Sequence, residues 1–123
     1  MLPCKTKPLV YACSGCTRAG RLSHDVAMGL MNDNVANVGC LPALALGFES
    51  EKERAARCPV LVLDGCQQKC GLVAFQQLQL NVKWHVDLNQ LCPSHDHESV
   101  DYSLTELYAV MAHLNRLIAQ QAQ

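Results

Sequence analysis

The sequence predicts a single α/β domain in which helices cover both faces of a parallel sheet of about four strands. Short apolar runs begin at Leu9, Val35, Val60 and Val82, and segments with helical periodicity separate them. Strands that alternate with helices form parallel sheets through right-handed crossovers. A chain of 123 residues is also long enough to bury one core. We therefore expect one three-layer domain over residues 1–123, with no domain boundary inside it.

The first strand and the first helix follow a short leader. Residues 1–8 contain two prolines and are predicted to be flexible. Leu9 to Ala12 is predicted to be a strand that ends at a turn of small residues beginning with Cys13. Thr17 is a candidate N-cap for a helix from about Arg18 to Met31.

The second strand is also predicted to end at a cysteine. Val35 to Gly39 is a short apolar stretch directly before Cys40. Leu41 to Phe48 is apolar but contains a proline and a glycine, which leaves a packed loop and an irregular helix as alternatives. Glu49 to Arg57 is predicted to be a polar helix with Ser50 as a candidate cap.

The third strand carries the strongest local signal. Val60 to Leu63 is too short for a helix and rich in β-branched residues, which predicts a strand buried on both faces. It ends at the turn Asp64-Gly65-Cys66, and we expect a helix over Gln67 to Leu80. That helix would place Cys66 and Cys70 one turn apart on one face. Cys58 precedes the strand and is therefore excluded from any site at its far end.

The fourth strand leads into a polar loop. Val82 to Val86 alternates weakly and is predicted to be a strand, and residues 92–98 are polar. Cys92, His95 and His97 are candidate ligands for a second metal site, although such a loop is more often simply solvated. These two alternatives stay open.

The chain ends with a predicted helix. Ser103 and Glu106 have the spacing of a capping box. An apolar stripe at helical spacing follows, formed by Leu104, Leu107, Met111, Leu114 and Ile118. We expect this stripe to cover one face of the sheet rather than to form a dimer interface.

Composition excludes several classes of function. The formal net charge of −1 argues against binding to nucleic acid or to an anionic membrane surface. No apolar run approaches the roughly 18 residues needed to cross a bilayer, and the N-terminus lacks a signal-peptide core, so we expect a cytoplasmic protein. Because the cytoplasm keeps thiols reduced, eight cysteines indicate metal or redox chemistry. An additional protein partner is compatible with the sequence, which identifies none.

Cysteines follow three of the predicted strands. In a parallel sheet the carboxyl ends of the strands share one edge, so Cys13, Cys40 and Cys66 are predicted to lie along it. Neighbouring strands are about 4.8 Å apart and a Zn–S bond is about 2.3 Å long, so three such cysteines and Cys70 can converge on one ion. A single cysteine would more often be a small buried apolar residue.

Three segments resemble the DGC domain family, which is described as zinc-binding and takes its name from an Asp-Gly-Cys motif. They are Tyr11-Ala12-Cys13-Ser14-Gly15, Gly39-Cys40-Leu41 and Val60 to Cys70. The resemblance extends to about Leu91 and leaves residues 93–123 outside the matched pattern. It implies that Cys13, Cys40, Cys66 and Cys70 are zinc ligands, and it implies no activity.

Two functions of different classes follow. A four-thiolate zinc site is closed, leaves no position for water, and therefore indicates a structural or regulatory protein rather than an enzyme. An iron–sulfur cluster would use the same ligands. The alternative is a thiol–disulfide oxidoreductase or redox sensor that uses Cys13 and Cys16, because Cys16 stands where the family usually has a small residue and creates a Cys-x-x-Cys pair.

Overall fold

The computed structural model describes residues 7–13, 18–65, 68–88 and 103–121. The strands are β1 (Leu9–Cys13), β2 (Asn37–Val38), β3 (Val60–Asp64) and β4 (Trp84–Asp87). The helices are α1 (Arg18–Asn32), α2 (Leu41–Ala45), α3 (Glu49–Arg57), α4 (Cys70–Gln77) and α5 (Leu104–Gln121). The strands form one sheet in the order β2-β1-β3-β4, and every neighbouring pair is parallel. The predicted fold class is confirmed.

The two central strands set the register of the sheet. β1 and β3 pair along their whole length, from Leu9 opposite Val60 to Cys13 opposite Asp64. All five residues of β3 are buried, as expected for a strand covered on both faces. Since β2 lies on the other side of β1, the carboxyl ends of β2, β1 and β3 are neighbours on one edge.

Each face of the sheet has its own core. Val10, Leu61 and Leu63 face α1 and α5, whereas the alternate residues of the same strands face α2, α3 and α4. The stripe of α5 covers the first face as predicted, through Leu107, Met111, Leu114 and Ile118. Its first member, Leu104, is 65% exposed and does not contribute. The predicted cap of this helix is confirmed, since the Glu106 N–H lies 3.2 Å from the Ser103 hydroxyl oxygen.

The middle of the chain differs in detail from the prediction. β2 is only two residues long. The sequence leaves a packed loop and an irregular helix open for Leu41 to Phe48. This stretch begins with a short helix, α2, and turns at Gly47, whose φ of +82° suits glycine. Ser50 is not the cap of α3, because the helix already begins at Glu49 and its N-cap, Phe48, makes no side-chain hydrogen bond.

The largest correction concerns α4. The sequence predicts a helix from Gln67, but α4 begins at Cys70, after Lys69 adopts the left-handed conformation with a φ of 54°. Cys66 therefore precedes the helix, and the predicted pairing of Cys66 and Cys70 on one helical turn is wrong.

Several predictions fall on residues outside the described part of the chain. They concern residues 1–6 of the leader, Cys16, the Thr17 cap, Cys66, and the loop that contains Cys92, His95 and His97. Of the helices that the structure describes, none has the length and apolar character needed to cross a membrane. Cys58, just before β3, is buried and disulfide-bonded, at the opposite end of that strand from the site described next.

Candidate functional site

Cysteines occupy neighbouring positions at the carboxyl edge of the sheet. Cys13 is the last residue of β1 and is paired in register with Asp64 of β3. Its carbonyl oxygen lies 2.9 Å from the hydroxyl of the buried Ser23, which ties this strand end to α1. Cys40 follows β2 and is the N-cap residue of α2. The predicted convergence of strand ends on one edge is thus confirmed for Cys13 and Cys40.

Cys70 reaches the same edge from α4, a helix that covers one face of the sheet. It is the first residue of α4, and it lines a cavity of about 260 Å³ together with Cys13. The other lining residues are small or apolar, namely Ala12, Leu41, Pro42, Ala45 and Ala74. Cys40 and Cys70 are both exposed, but Cys40 only adjoins this cavity, through the next residue, Leu41. The structure therefore brings Cys13 and Cys70 together and leaves Cys40 at the margin.

These cysteines do not by themselves form a metal centre. Cys13, Cys40 and Cys70 are outside disulfides. Within residues 7–13, 18–65, 68–88 and 103–121, however, no group of three His, Cys, Asp or Glu side chains is arranged to hold a metal ion. The predicted fourth ligand, Cys66, lies outside these residues, directly after the buried Gly65. The four-cysteine set accordingly stays a prediction.

Asp64 organises the part of the site around Cys70. Its side chain is completely buried and accepts hydrogen bonds from the backbone N–H groups of Gly71, at 2.8 Å, and Leu72, at 3.2 Å. Both N–H groups belong to the first turn of α4, where they have no partner within the helix. The His85 Nε2 nitrogen on β4 lies 2.7 Å from the second carboxylate oxygen of Asp64. One carboxylate thus joins β3, α4 and β4.

Glycine is required at position 71 for this arrangement. A Cβ atom there would lie 2.7 Å from Val62 Cγ1 and 3.0 Å from Asp64 Oδ1. The absence of a side chain lets the first turn of α4 approach β3 closely enough for the carboxylate to reach two N–H groups. The residue next to Cys70 is therefore determined by contact with Val62 and Asp64.

A comparable arrangement lies beside Cys40. Tyr11 is completely buried on β1, and a Cβ atom on Gly39 would lie 2.4 Å from its ring. The Tyr11 hydroxyl donates a 2.5 Å hydrogen bond to Glu51 of α3, and its ring packs edge-on against Phe75 at 5.1 Å between centroids. Burial, followed by the hydrogen bond to Glu51, raises the pKa of Tyr11 well above its usual range.

Sequence reasoning missed these supporting residues. It treated Asp64 as part of a turn, whereas Asp64 is the last, fully buried residue of β3. An ionisable residue at the end of an apolar strand is a usable signal, because a buried carboxylate needs hydrogen-bond partners. The partnership with His85 had no sequence signal, since 21 residues separate the two. Tyr11 and Gly39 were quoted as motif residues without a physical role.

The chemistry of the edge fits a thiophilic metal. Thiolates are preferred zinc ligands, and the carboxylate of Asp64, which is paired in register with Cys13, is already engaged by backbone N–H groups and His85. The Cys13–Cys16 pair of the redox alternative is not placed by the structure, because Cys16 lies outside the described residues.

Comparison with known proteins places the chain among relatives. It is 37% identical over 65 residues to the "Anaerobic and virulence modulator AnvM" of Pseudomonas aeruginosa, a match that covers 51% of this chain and 49% of that protein. The chain thus matches about half the length of this curated relative. No solved structure matches it. The DGC domain family matches residues 9–114, a range that runs from the start of β1 into α5 and contains all the strands. The chain therefore belongs to the DGC domain family.

Proposed function

We propose that this protein binds one zinc ion through the thiolates of Cys13, Cys40, Cys66 and Cys70 and has a structural or regulatory role in the cytoplasm. The observation that carries the proposal is the strand order β2-β1-β3, because Cys40, Cys13 and Cys66 follow these three neighbouring strands in the sequence. The cavity that Cys13 and Cys70 line together supports including Cys70 in the set.

The ligand set agrees with a structural or regulatory role rather than a catalytic one. Four thiolates complete a tetrahedral shell, so the ion has no open position at which to activate water, and we expect no hydrolytic activity. Metal binding to such a shell contributes folding free energy, which couples metal occupancy to the shape of the edge. The word "modulator" in the name of AnvM agrees with regulation, which we extend to this chain as part of the proposal.

The cytoplasmic location is part of the same proposal. Reduced thiols are maintained in that compartment, and the three described site cysteines are outside disulfides. The disulfide at Cys58 is unusual for a cytoplasmic protein. Thiol counting on protein isolated under alkylating conditions tests the cytoplasmic location. A reduced Cys58 would support that location, and an oxidised Cys58 would contradict it.

A thiol-based redox function is the second candidate. It is favoured by a specific observation, namely that Cys13 shares a cavity with a second cysteine, Cys70. In this function Cys13 and Cys16 would form a disulfide while a substrate disulfide is reduced to two thiols, Cys70 would be a further exchange partner, and metal would be irrelevant. The two functions disagree about Cys16, which is a bystander in a complete four-thiolate shell and essential in the redox pair.

The test is zinc content and reducible disulfide in single serine variants. We expect protein purified without added zinc to carry close to one zinc per chain and to release it in acid, because protons compete for thiolate. Cys66→Ser and Cys70→Ser should retain little zinc. Cys16→Ser is the matched control and should retain nearly all of it.

Three outcomes contradict the proposal. Folded protein that lacks zinc and whose melting temperature does not respond to it excludes a zinc site. Loss of zinc from Cys16→Ser as complete as that from Cys66→Ser means that the ligand set is wrong. Iron and acid-labile sulfide in place of zinc indicate an iron–sulfur cluster on the same cysteines.

A further inference from the structure

We infer that Asp64 and His85 form a positioning pair that holds Cys70 in place through the first turn of α4. For the effect on metal binding, this inference rests on the proposed zinc site. Neither residue is among the proposed ligands, and His85 lies outside the three segments that resemble the family motifs. The inference assigns a role to a histidine that the sequence does not connect with the site.

The N-terminus of α4 is capped by a residue of another element. Its own N-cap residue, Lys69, makes no side-chain cap hydrogen bond and has a left-handed backbone. The carboxylate of Asp64 takes over that role by accepting from the N–H groups of Gly71 and Leu72. The start of the helix, and with it Cys70, is therefore located by β3 rather than by the local sequence.

His85 orients the carboxylate of Asp64. Asp64 is completely buried, whereas the side chain of His85 is 22% exposed. Within the described structure, the Asp64 Oδ2 atom receives both the Leu72 N–H and the His85 Nε2–H, at 3.2 and 2.7 Å. A carboxylate held on two sides has little freedom to rotate, and its two backbone contacts stay aligned. Without His85, the carboxylate of Asp64 would lose one of its three hydrogen bonds, and its contacts with Gly71 and Leu72 would open more often.

Asp64 is linked to two proposed ligands, Cys66 along the chain and Cys70 through a hydrogen bond to the next residue. It lies two residues before Cys66 in the chain, and its hydrogen-bond partner Gly71 comes directly after Cys70. A shift of the carboxylate therefore moves the start of α4 relative to the end of β3. Outer-shell hydrogen bonds that orient metal ligands typically change metal affinity about 10- to 100-fold. Here the pair acts on Cys70 through the helix backbone.

The experiment compares His85→Leu with the conservative variant His85→Gln. The terminal amide of Gln can donate to Asp64 from nearly the position of the His85 Nε2 atom. Val86→Ala is the matched control, because Val86 is buried on the same strand but faces the opposite core. Zinc affinity is measured by competition with a chelator, and the site is probed by the absorption of bound Co²⁺, at a temperature where all variants are folded.

We expect His85→Leu to bind zinc about 10- to 100-fold more weakly and to change the Co²⁺–thiolate absorption. His85→Gln should recover most of the affinity, and Val86→Ala should match the wild type even though it lowers stability. Equal affinity in His85→Leu and the wild type would overturn the inference. So would an equal loss in all three variants, which would reflect general destabilisation.

A measurement without metal separates this inference from the zinc proposal. In the metal-free protein, the amide hydrogens of Gly71 and Leu72 should exchange at least about tenfold faster in His85→Leu than in the wild type or His85→Gln. If the wild type binds no metal, the zinc proposal fails, and the exchange rates still decide whether His85 positions α4. Unchanged exchange at both amides would overturn the positioning role.

Discussion

The surroundings of Cys40 and Cys70, the two ends of the candidate site, share a closely packed glycine but differ in the side chains that pack against it. Beside each of Cys40 and Cys70 stands a glycine that a buried side chain approaches too closely for any Cβ atom. At Gly39 that side chain is the aromatic ring of Tyr11, and at Gly71 it is Val62, with the carboxylate of Asp64 beside it at 3.0 Å. Both cysteines are therefore located by packing, and Cys70 is located in addition by the hydrogen bonds of Asp64 to α4.

The difference predicts how each end fails. An aromatic ring in a packed core resists displacement, so crowding at Gly39 is expected to strain the protein while removal of one polar contact matters little. Removal of the buried carboxylate of Asp64 would leave the N–H groups of Gly71 and Leu72 without their acceptor and the imidazole of His85 without its partner. The Cys70 end should thus be sensitive both to loss of hydrogen bonds and to added volume at Gly71, and the Cys40 end mainly to added volume at Gly39.

The largest expected effect is that of Asp64→Ala. It removes the acceptor of two backbone N–H groups and of His85, and we expect a loss of about 3–5 kcal/mol in the free energy of unfolding. Urea denaturation measures this loss. Asp87→Ala is the control, because Asp87 is paired with Asp64 across β3 and β4 but is partly exposed, and it should cost less than about 1 kcal/mol. Similar losses in the two variants would contradict the special role of Asp64.

An intermediate effect is expected from Gly39→Ala. The new methyl group would meet the Tyr11 ring at 2.4 Å, and overpacking of this kind costs about 2–3 kcal/mol. Because the cause is the ring, the cost should shrink when Tyr11→Leu is introduced together with it. A double-mutant cycle in urea measures this coupling. Additive effects of the two substitutions would show that the contact with Tyr11 is not what requires glycine.

The smallest effect at neutral pH is expected from Tyr11→Phe, which removes one hydrogen bond to Glu51 and should cost about 1 kcal/mol. At alkaline pH the sign of the difference reverses. Burial and Glu51 raise the pKa of Tyr11 in the folded protein above its ordinary value of 10.0. The unfolded chain therefore loses this proton first, and the Tyr11 contribution is complete below about pH 10 and falls by about 1.4 kcal/mol per pH unit above it.

The measurement is the free energy of unfolding of the wild type and Tyr11→Phe between pH 8 and about 11.5. The wild type should lose stability more steeply above pH 10, and the two curves should converge and cross. Parallel curves across this range would show that Tyr11 ionises alike in the folded and unfolded states.

The amino-acid sequence by itself determined the layered fold and the edge on which the cysteines lie. Four apolar runs separated by helical segments specify a parallel sheet, and in such a sheet the positions of Cys13 and Cys40 at strand ends are enough to bring them to one edge. The cap and the stripe of α5 also follow from local pattern, because capping and periodicity are properties of neighbouring residues. The bounds of α3 agree with the prediction, although its predicted cap does not.

Only the tertiary structure decided where α4 begins and what supports the cysteines. Helical periodicity placed the start at Gln67, but the carboxylate of Asp64 engages the N–H groups of Gly71 and Leu72, and the helix begins at Cys70. That hydrogen bonding depends on a strand, a helix and His85 from a third element meeting in space. The close approaches at Gly39 and Gly71 arise in the same way, since a sequence records neighbours along the chain and not the distance between packed layers.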